Sequence, residues 1–160
     1  MMPIKLDNRD IAILKVISAE GRISKSDLAK RVHLSATACL ERLKKLEKSG
    51  IVEGYHAELA LAKIGPFISI FVTLELQDHK YETFQKFERS TARFDEITDC
   101  WALGGGFDYL IHVTTRDIKS YQVLMDELLA SEIGISRYFT YVVTKNVKTG
   151  TAPLDFLVKT

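Results

Sequence analysis

No stretch of this 160-residue sequence stays apolar for the roughly 20 positions that a membrane-crossing helix needs, which excludes a helical membrane protein. The opening MMPIKLDNRD is charged where a secretory leader is apolar, so the expected compartment is the cytoplasm. Cysteine is scarce. Cys39 and Cys100 are far apart, which excludes a disulfide scaffold and suits a reducing compartment. His33, His56, His79 and His112 are scattered and share no ligand spacing with a cysteine, so no metal centre is expected. No Gly-Lys-Ser/Thr follows the glycines at 104–106, which excludes a phosphate-binding loop. No catalytic constellation stands out and no cofactor is expected. Excess charge is missing too: the net value is only +1, which taken alone argues against a nucleic-acid partner.

What is present reverses that last argument, because the charge is partitioned along the chain. Residues 1–63 hold 12 basic and 8 acidic side chains, and residues 64–160 hold 10 and 13. Between 22 and 48 the contrast sharpens to 8 basic against 3 acidic, the local surplus that a phosphate-binding surface requires. With 46% apolar residues the chain can build real cores, and its length suits two small domains. The expected boundaries are 1–55, a hinge over 56–66 ending in Gly65-Pro66, and 67–160.

The first part reads as three short helices. Asp7 caps a helix bearing Ile11, Leu14 and Ile17, which ends at Gly21. Ser24 with Asp27 three residues on opens the second, which carries Leu28, Ala29 and Val32. After a break at His33-Leu34, Ser35 caps a third helix that closes at Gly50. At about 100° per residue that helix sets Ala36, Cys39, Leu40, Leu43 and Leu46 on one side. Thr37, Ala38, Glu41, Lys44, Lys45 and Lys48 lie opposite, with Arg42 flanking. Two helices, a short turn and a third helix apolar behind and basic in front form a helix-turn-helix. A short apolar strand from Ile51 is expected next. Cys39 is read as a core thiol.

From Phe67 the pattern changes. Ile68, Ile70, Val72, Leu74 and Leu76 alternate with Ser69, Phe71, Thr73 and Glu75, which is a strand. Tyr81, Phe84, Phe87 and Thr91 recur at helical spacing and are read as core. Strands follow over 97–103 and 108–115, then a helix over 117–131 and a strand over 135–148. The order β-α-β-β-α-β is the ferredoxin-like pattern, so the fold class is α+β: a winged helix-turn-helix followed by a ferredoxin-like domain. Tyr109, Ile111 and Val113 are expected to face the helices together with Phe139, Tyr141 and Val143. That leaves a mixed outer face including Leu110, His112, Thr140 and Val142, which suits packing against a second copy, so a homodimer is expected. His112 and Trp101 are read as packing residues.

The runs LSATACLERLKKLEKSGIVEGY (34–55), GGGFDYLIHV (104–113) and TYVVTKNVK (140–148) resemble the leucine-responsive and asparagine-responsive (Lrp/AsnC, feast/famine) regulator family over nearly the whole chain. Leu34, Ser35, Thr37, Cys39, Arg42, Leu46, Glu47, Gly50 and Ile51 meet its pattern. The resemblance implies sequence-specific binding of double-stranded DNA, control by an amino acid or derived metabolite, and dimers that assemble into tetramers or octamers. It implies a regulator rather than an enzyme. Alternatives from the same neighbourhood are a tetrapyrrole decarboxylase and an architectural DNA-wrapping protein. The chain departs from the family at Ala36 and Ala38, where proline is common, and at Gly106, where an acid usually stands.

The expected DNA contacts are Lys25, Lys30 and Arg31 to the backbone, and Ser35, Thr37 and Ala38 at the start of the third helix. Arg42 and Lys45 have the longer reach. Arg42 can read guanine, hold phosphate or pair with an acid, of which phosphate is favoured. For the small molecule, Gly104, Gly105 and Gly106 either make a backbone nest for a carboxylate, with Asp108 taking an ammonium group, or simply form a tight strand connection. The resemblance favours the nest and adds Thr140, Tyr141 and Val142 as pocket lining.

Overall fold

A computed structural model describes residues 5–158. The chain divides into two compact units, one holding the residues up to Leu59 together with those from Lys148 onward, the other Ala60–Val147.

The first unit is helical: α1 (Asn8–Ala19), α2 (Lys25–Arg31), α3 (Ala36–Lys48) and, from the far end of the chain, α6 (Leu154–Leu157). Each of the first three starts at a side-chain cap that satisfies otherwise unpaired N–H groups. The Asp7 carboxylate accepts from Arg9 and Asp10, both at 2.9 Å, and Asp10 in turn accepts from the Asp7 N–H at 3.1 Å. The Ser24 hydroxyl accepts from Asp27 N–H at 3.1 Å and Ser35 from Ala38 N–H at 3.3 Å. The turn between α2 and α3 passes through His33 at φ 54°, and α3 ends at Gly50, whose φ of 76° glycine adopts without penalty. Ile13, Leu14, Ile17, Leu28, Cys39, Leu43 and Leu46 form the core, with Ile51, Val52 and Leu154 packed on its rim.

The second unit runs β1 (Ile68–Leu76), α4 (Tyr81–Thr91), β2 (Ile97–Ala102), β3 (Tyr109–Thr115), α5 (Ile118–Ala130) and β4 (Ile135–Val142). The strands pair antiparallel in the order β2-β3-β1-β4, as the ferredoxin-like pattern requires. One sheet face, with Ile70, Val72, Leu74, Ile111 and Val113, closes over Phe87 from α4 and Tyr121, Leu124 and Leu128 from α5.

Four expectations need correction. Residues 51–58 form no strand. The N–H groups of Ile51 and Val52 turn back to the Leu46 carbonyl at 3.1 and 3.3 Å, closing α3 instead of seeking a sheet. Tyr81, at the exposed first turn of α4, is 76% exposed and not core. β4 stops at Val142, and residues from Lys148 onward group with the helical unit rather than with the sheet. Its phase is also the reverse of that expected. Val72 pairs with Thr140 and Leu74 with Tyr138, while Thr73 pairs with Phe139 and Phe71 with Tyr141. Directly paired residues share a face, so Phe139 and Tyr141 lie on the open side and Thr140 and Val142 on the helix side. The Thr140 hydroxyl is accordingly hydrogen-bonded to that of Tyr121 on α5 at 2.5 Å.

Candidate nucleic-acid interface and ligand loop

The outer stripe of α3 is open. Thr37, Glu41, Lys44, Lys45 and Lys48 are all exposed, and Ala38 is partly buried at the edge. Among the described residues Lys25, Lys44, Lys45 and Lys48 join no ion pair, so their ammonium groups stand free for an anionic partner. The other predicted cations are engaged. Lys30 lies 3.3 Å from Asp27, and Arg31 pairs with Glu20. The Glu20 hydrogen bond and charge raise the Arg31 pKa, and the Ser24 hydroxyl, then Lys30, hold Asp27 below the usual carboxylate value.

Arg42 is committed more firmly. Its guanidinium donates to Asp7 at 2.6 Å and to Asp10 at 2.8 Å, and the Asp10 side chain is only 8% exposed. Asp7 is held below its ordinary pKa first by the Asp10 N–H and then by Arg42, whose own pKa is raised by the two carboxylates. The favoured phosphate role for Arg42 therefore competes with an internal bolt between α1 and α3. Residues at positions 7, 10 and 42 carry no local signal of this pairing. The only hint was that Asp7 and Asp10 are a capping pair with acceptor capacity to spare. Cys39 sits in the core and burial raises its thiol pKa, in keeping with a packing role.

In the sheet unit, Gly104, Gly105 and Gly106 connect β2 to β3 and are exposed. Leu103 N–H closes the connection on the Asp108 carbonyl at 2.8 Å, while the N–H groups of 104–107 find no partner among the described residues. A Cβ built on any of the three glycines would meet nothing within 4 Å, so intramolecular crowding does not require them. Asp108 does not point freely at the loop. It accepts from Leu76 N–H at 2.7 Å and lies 3.1 Å from His79 Nε2, pinning the end of the connection to β1. Thr140 and Val142 project to the helix side and Tyr141 to the open side, so the three do not line one pocket within a single chain. Two neighbours absent from the expected site adjoin the loop instead. The Phe107 and Phe139 rings meet at 5.7 Å, and Arg137, bound to Glu75 at 2.6 Å, lies 5.4 Å from the Phe139 centroid.

On the same open face His112 stacks on Phe71 at 4.7 Å and reaches Ser69 at 2.6 Å, Thr98 at 2.9 Å and Asp99 at 3.2 Å. It packs on the outer face of the sheet, where the alternation of β3 places it, together with the partly exposed Trp101.

A capped helix-turn-helix with a free cationic ridge, carried on the same chain as a ferredoxin-like sheet unit with an open aromatic face, is the build of a DNA-binding regulator with a separate ligand-binding unit. Residues 6–53 match the family model for winged helix-turn-helix DNA-binding, and residues 69–153 match that of the Lrp/AsnC ligand binding domain. The chain belongs to the Lrp/AsnC family of transcriptional regulators. It is 44% identical over 152 residues to the transcriptional regulatory protein DoeX of Halomonas elongata, covering 95% of this chain and 96% of that one. To the leucine-responsive regulatory protein of Escherichia coli it is 36% identical over 143 residues, covering 89% and 87%. Among solved structures, a transcriptional regulator of Neisseria meningitidis in complex with L-Met superposes with a TM-score of 0.89 at 32% identity, covering 96% of this chain and all of that one. No helix among the described residues is long and apolar enough to cross a membrane.

Proposed function

We propose that the protein is a sequence-specific regulator that lays the Thr37–Lys48 ridge of α3 into the major groove of duplex DNA and responds to an amino acid or an amino-acid-derived metabolite. The observation that carries this reading is the contrast on α3: Arg42 is consumed inside the unit, whereas Lys44, Lys45 and Lys48 stay unpaired on the outside. Thr37 and Lys45 face the bases, and the first turn of α3, beside Ser35 and Ala38, approaches phosphate with the N–H groups of Ala36 and Thr37. Lys25, Lys30 and Arg31 hold the flanking backbone, the last two by exchanging exposed carboxylate partners for phosphate. Arg42 acts by fixing α3 on α1.

In the ligand unit, the unpartnered N–H groups of Gly104–Gly106 are suited to an α-carboxylate, and Asp108 sets the loop in place. The relative solved with L-Met supports an amino-acid ligand. Thr140, Tyr141 and Val142 contribute lining that no one face of a single chain supplies, which agrees with a site completed by a second copy. The open face, with Phe71, Trp101, Phe139 and Tyr141, pairs two chains into a homodimer, and dimers assemble further. The protein works by binding, in the cytoplasm, and needs no cofactor.

The test is a salt titration of binding to the duplex upstream of its own gene against an unrelated duplex. The expected result is a specificity ratio well above one that persists at moderate salt. Equal binding to both duplexes overturns the reading. A thermal-shift screen of amino acids and derivatives tests the second half, since a ligand of the folded form raises stability with its concentration.

A further inference from the structure

We infer that Glu41 is a base-reading residue and sets a cytosine preference in each half-site, an inference that rests on the DNA-binding reading above. At about 100° per residue the exposed Thr37, Glu41, Lys44, Lys45 and Lys48 span about 100°, and Glu41 lies near the middle of that stripe, just over one turn from the start of α3. It is exposed, and although Lys44 and Lys45 sit three and four residues on, where an ion pair would be natural, Glu41 makes no ion pair or side-chain hydrogen bond among the described residues. A carboxylate in that place can only accept. Phosphate repels it, so a ridge pressed into a groove must bring it to a base-edge donor. The major groove offers two, the amino groups of cytosine and adenine. Adenine's amino group is flanked on both sides by acceptors, N7 of its own ring and O4 of the paired thymine, whereas cytosine's has an acceptor on one side only. Glu41 therefore favours cytosine. Lys44 and Lys48, beside it on the stripe, hold the flanking phosphates and keep the carboxylate in the groove.

Selection from a randomised duplex library with the full-length protein tests this, using the wild type, Glu41→Gln and Glu41→Ala. The wild type is expected to enrich a palindrome with cytosine at one symmetric pair of positions, at a preference of about tenfold. Glu41→Gln, whose amide both donates and accepts, is expected to move that preference to adenine. Glu41→Ala is expected to erase it while the rest of the motif stays. Identical motifs from all three proteins, with the two variants merely tighter on every sequence, would show that Glu41 only repels phosphate and would overturn the assignment alone. A wild type that enriches no motif overturns the DNA-binding reading itself, and this inference with it.

Discussion

Arg42 on α3 and Asp10 on α1 meet at 2.8 Å, and because the Asp10 side chain is almost wholly buried, this contact fixes the exposed helix to the one behind it. Truncating the arginine leaves a buried carboxylate short of its cation, which costs more than the pair itself contributes. Arg42→Met should lower the stability of the protein by about 1–3 kcal/mol, read by thermal or urea unfolding. The slope of DNA affinity against salt should stay as it was. A slope reduced by about one, with stability unchanged, would return Arg42 to the phosphate contacts.

Acid should loosen both units in a defined window. Asp7, Asp27, Asp78 and Asp117 are held below the ordinary carboxylate value of 3.8, chiefly by the Asp10 N–H, the Ser24 hydroxyl, the Thr83 hydroxyl and the Ser120 N–H respectively. Groups with depressed values stabilise the fold above their unfolded pKa, and that contribution is lost as pH falls through the folded one. The melting temperature should therefore be level down to about pH 5 and decline below about pH 4. Asp7→Asn and Asp117→Asn should each make the decline shallower; an unchanged profile in both would contradict the assignment.

The glycines divide by role. Gly134 has φ +78° and a Cβ there would stand 3.1 Å from Thr83 Cγ2, so Gly134→Ala should destabilise by about 1–2 kcal/mol. Gly105 has open space around it. Gly105→Ala should leave the melting temperature in place and diminish the shift produced by an amino-acid ligand. A large loss of stability would make the loop a structural connection only.

Phe139 is 42% exposed on the open sheet face. Phe139→Glu should keep the far-UV circular dichroism of the wild type and elute as a monomer from a sizing column. Retained association would place the contact between copies elsewhere.

The end of the chain supports its beginning. Leu154 lies with Leu14, Ile17, Ile51, Val52 and Tyr55 around a cleft of about 360 Å³, and Asp155 reaches Lys15 at 2.6 Å. Leu154→Ala should cost about 1 kcal/mol or more of stability, whereas Asp155→Asn, an exposed pair, should cost less than about 1 kcal/mol. Hydrogen exchange of the α1 amides would check both, and no change in Leu154→Ala would count against the docking.

The sequence by itself determined the three helices, their caps, the α3 ridge, the alternation of β1 and the order of strands and helices. Each depends on contacts within one turn or one pleat, which residue spacing encodes directly. Tertiary structure alone decided the rest. Residues 139–143 read Phe-Thr-Tyr-Val-Val, apolar or aromatic enough for either face, so the phase of β4 was open until pairing with β1, through the irregularity at Glu75 and Leu76, set it. Ile51 and Val52 looked like a strand because apolar composition does not say whether a partner exists, and here the end of α3 claimed their N–H groups. For Arg42, spacing left guanine, phosphate and an acid all open and favoured phosphate, because the acids that hold it lie more than thirty residues away and no local periodicity records a charge pair formed only when two helices pack.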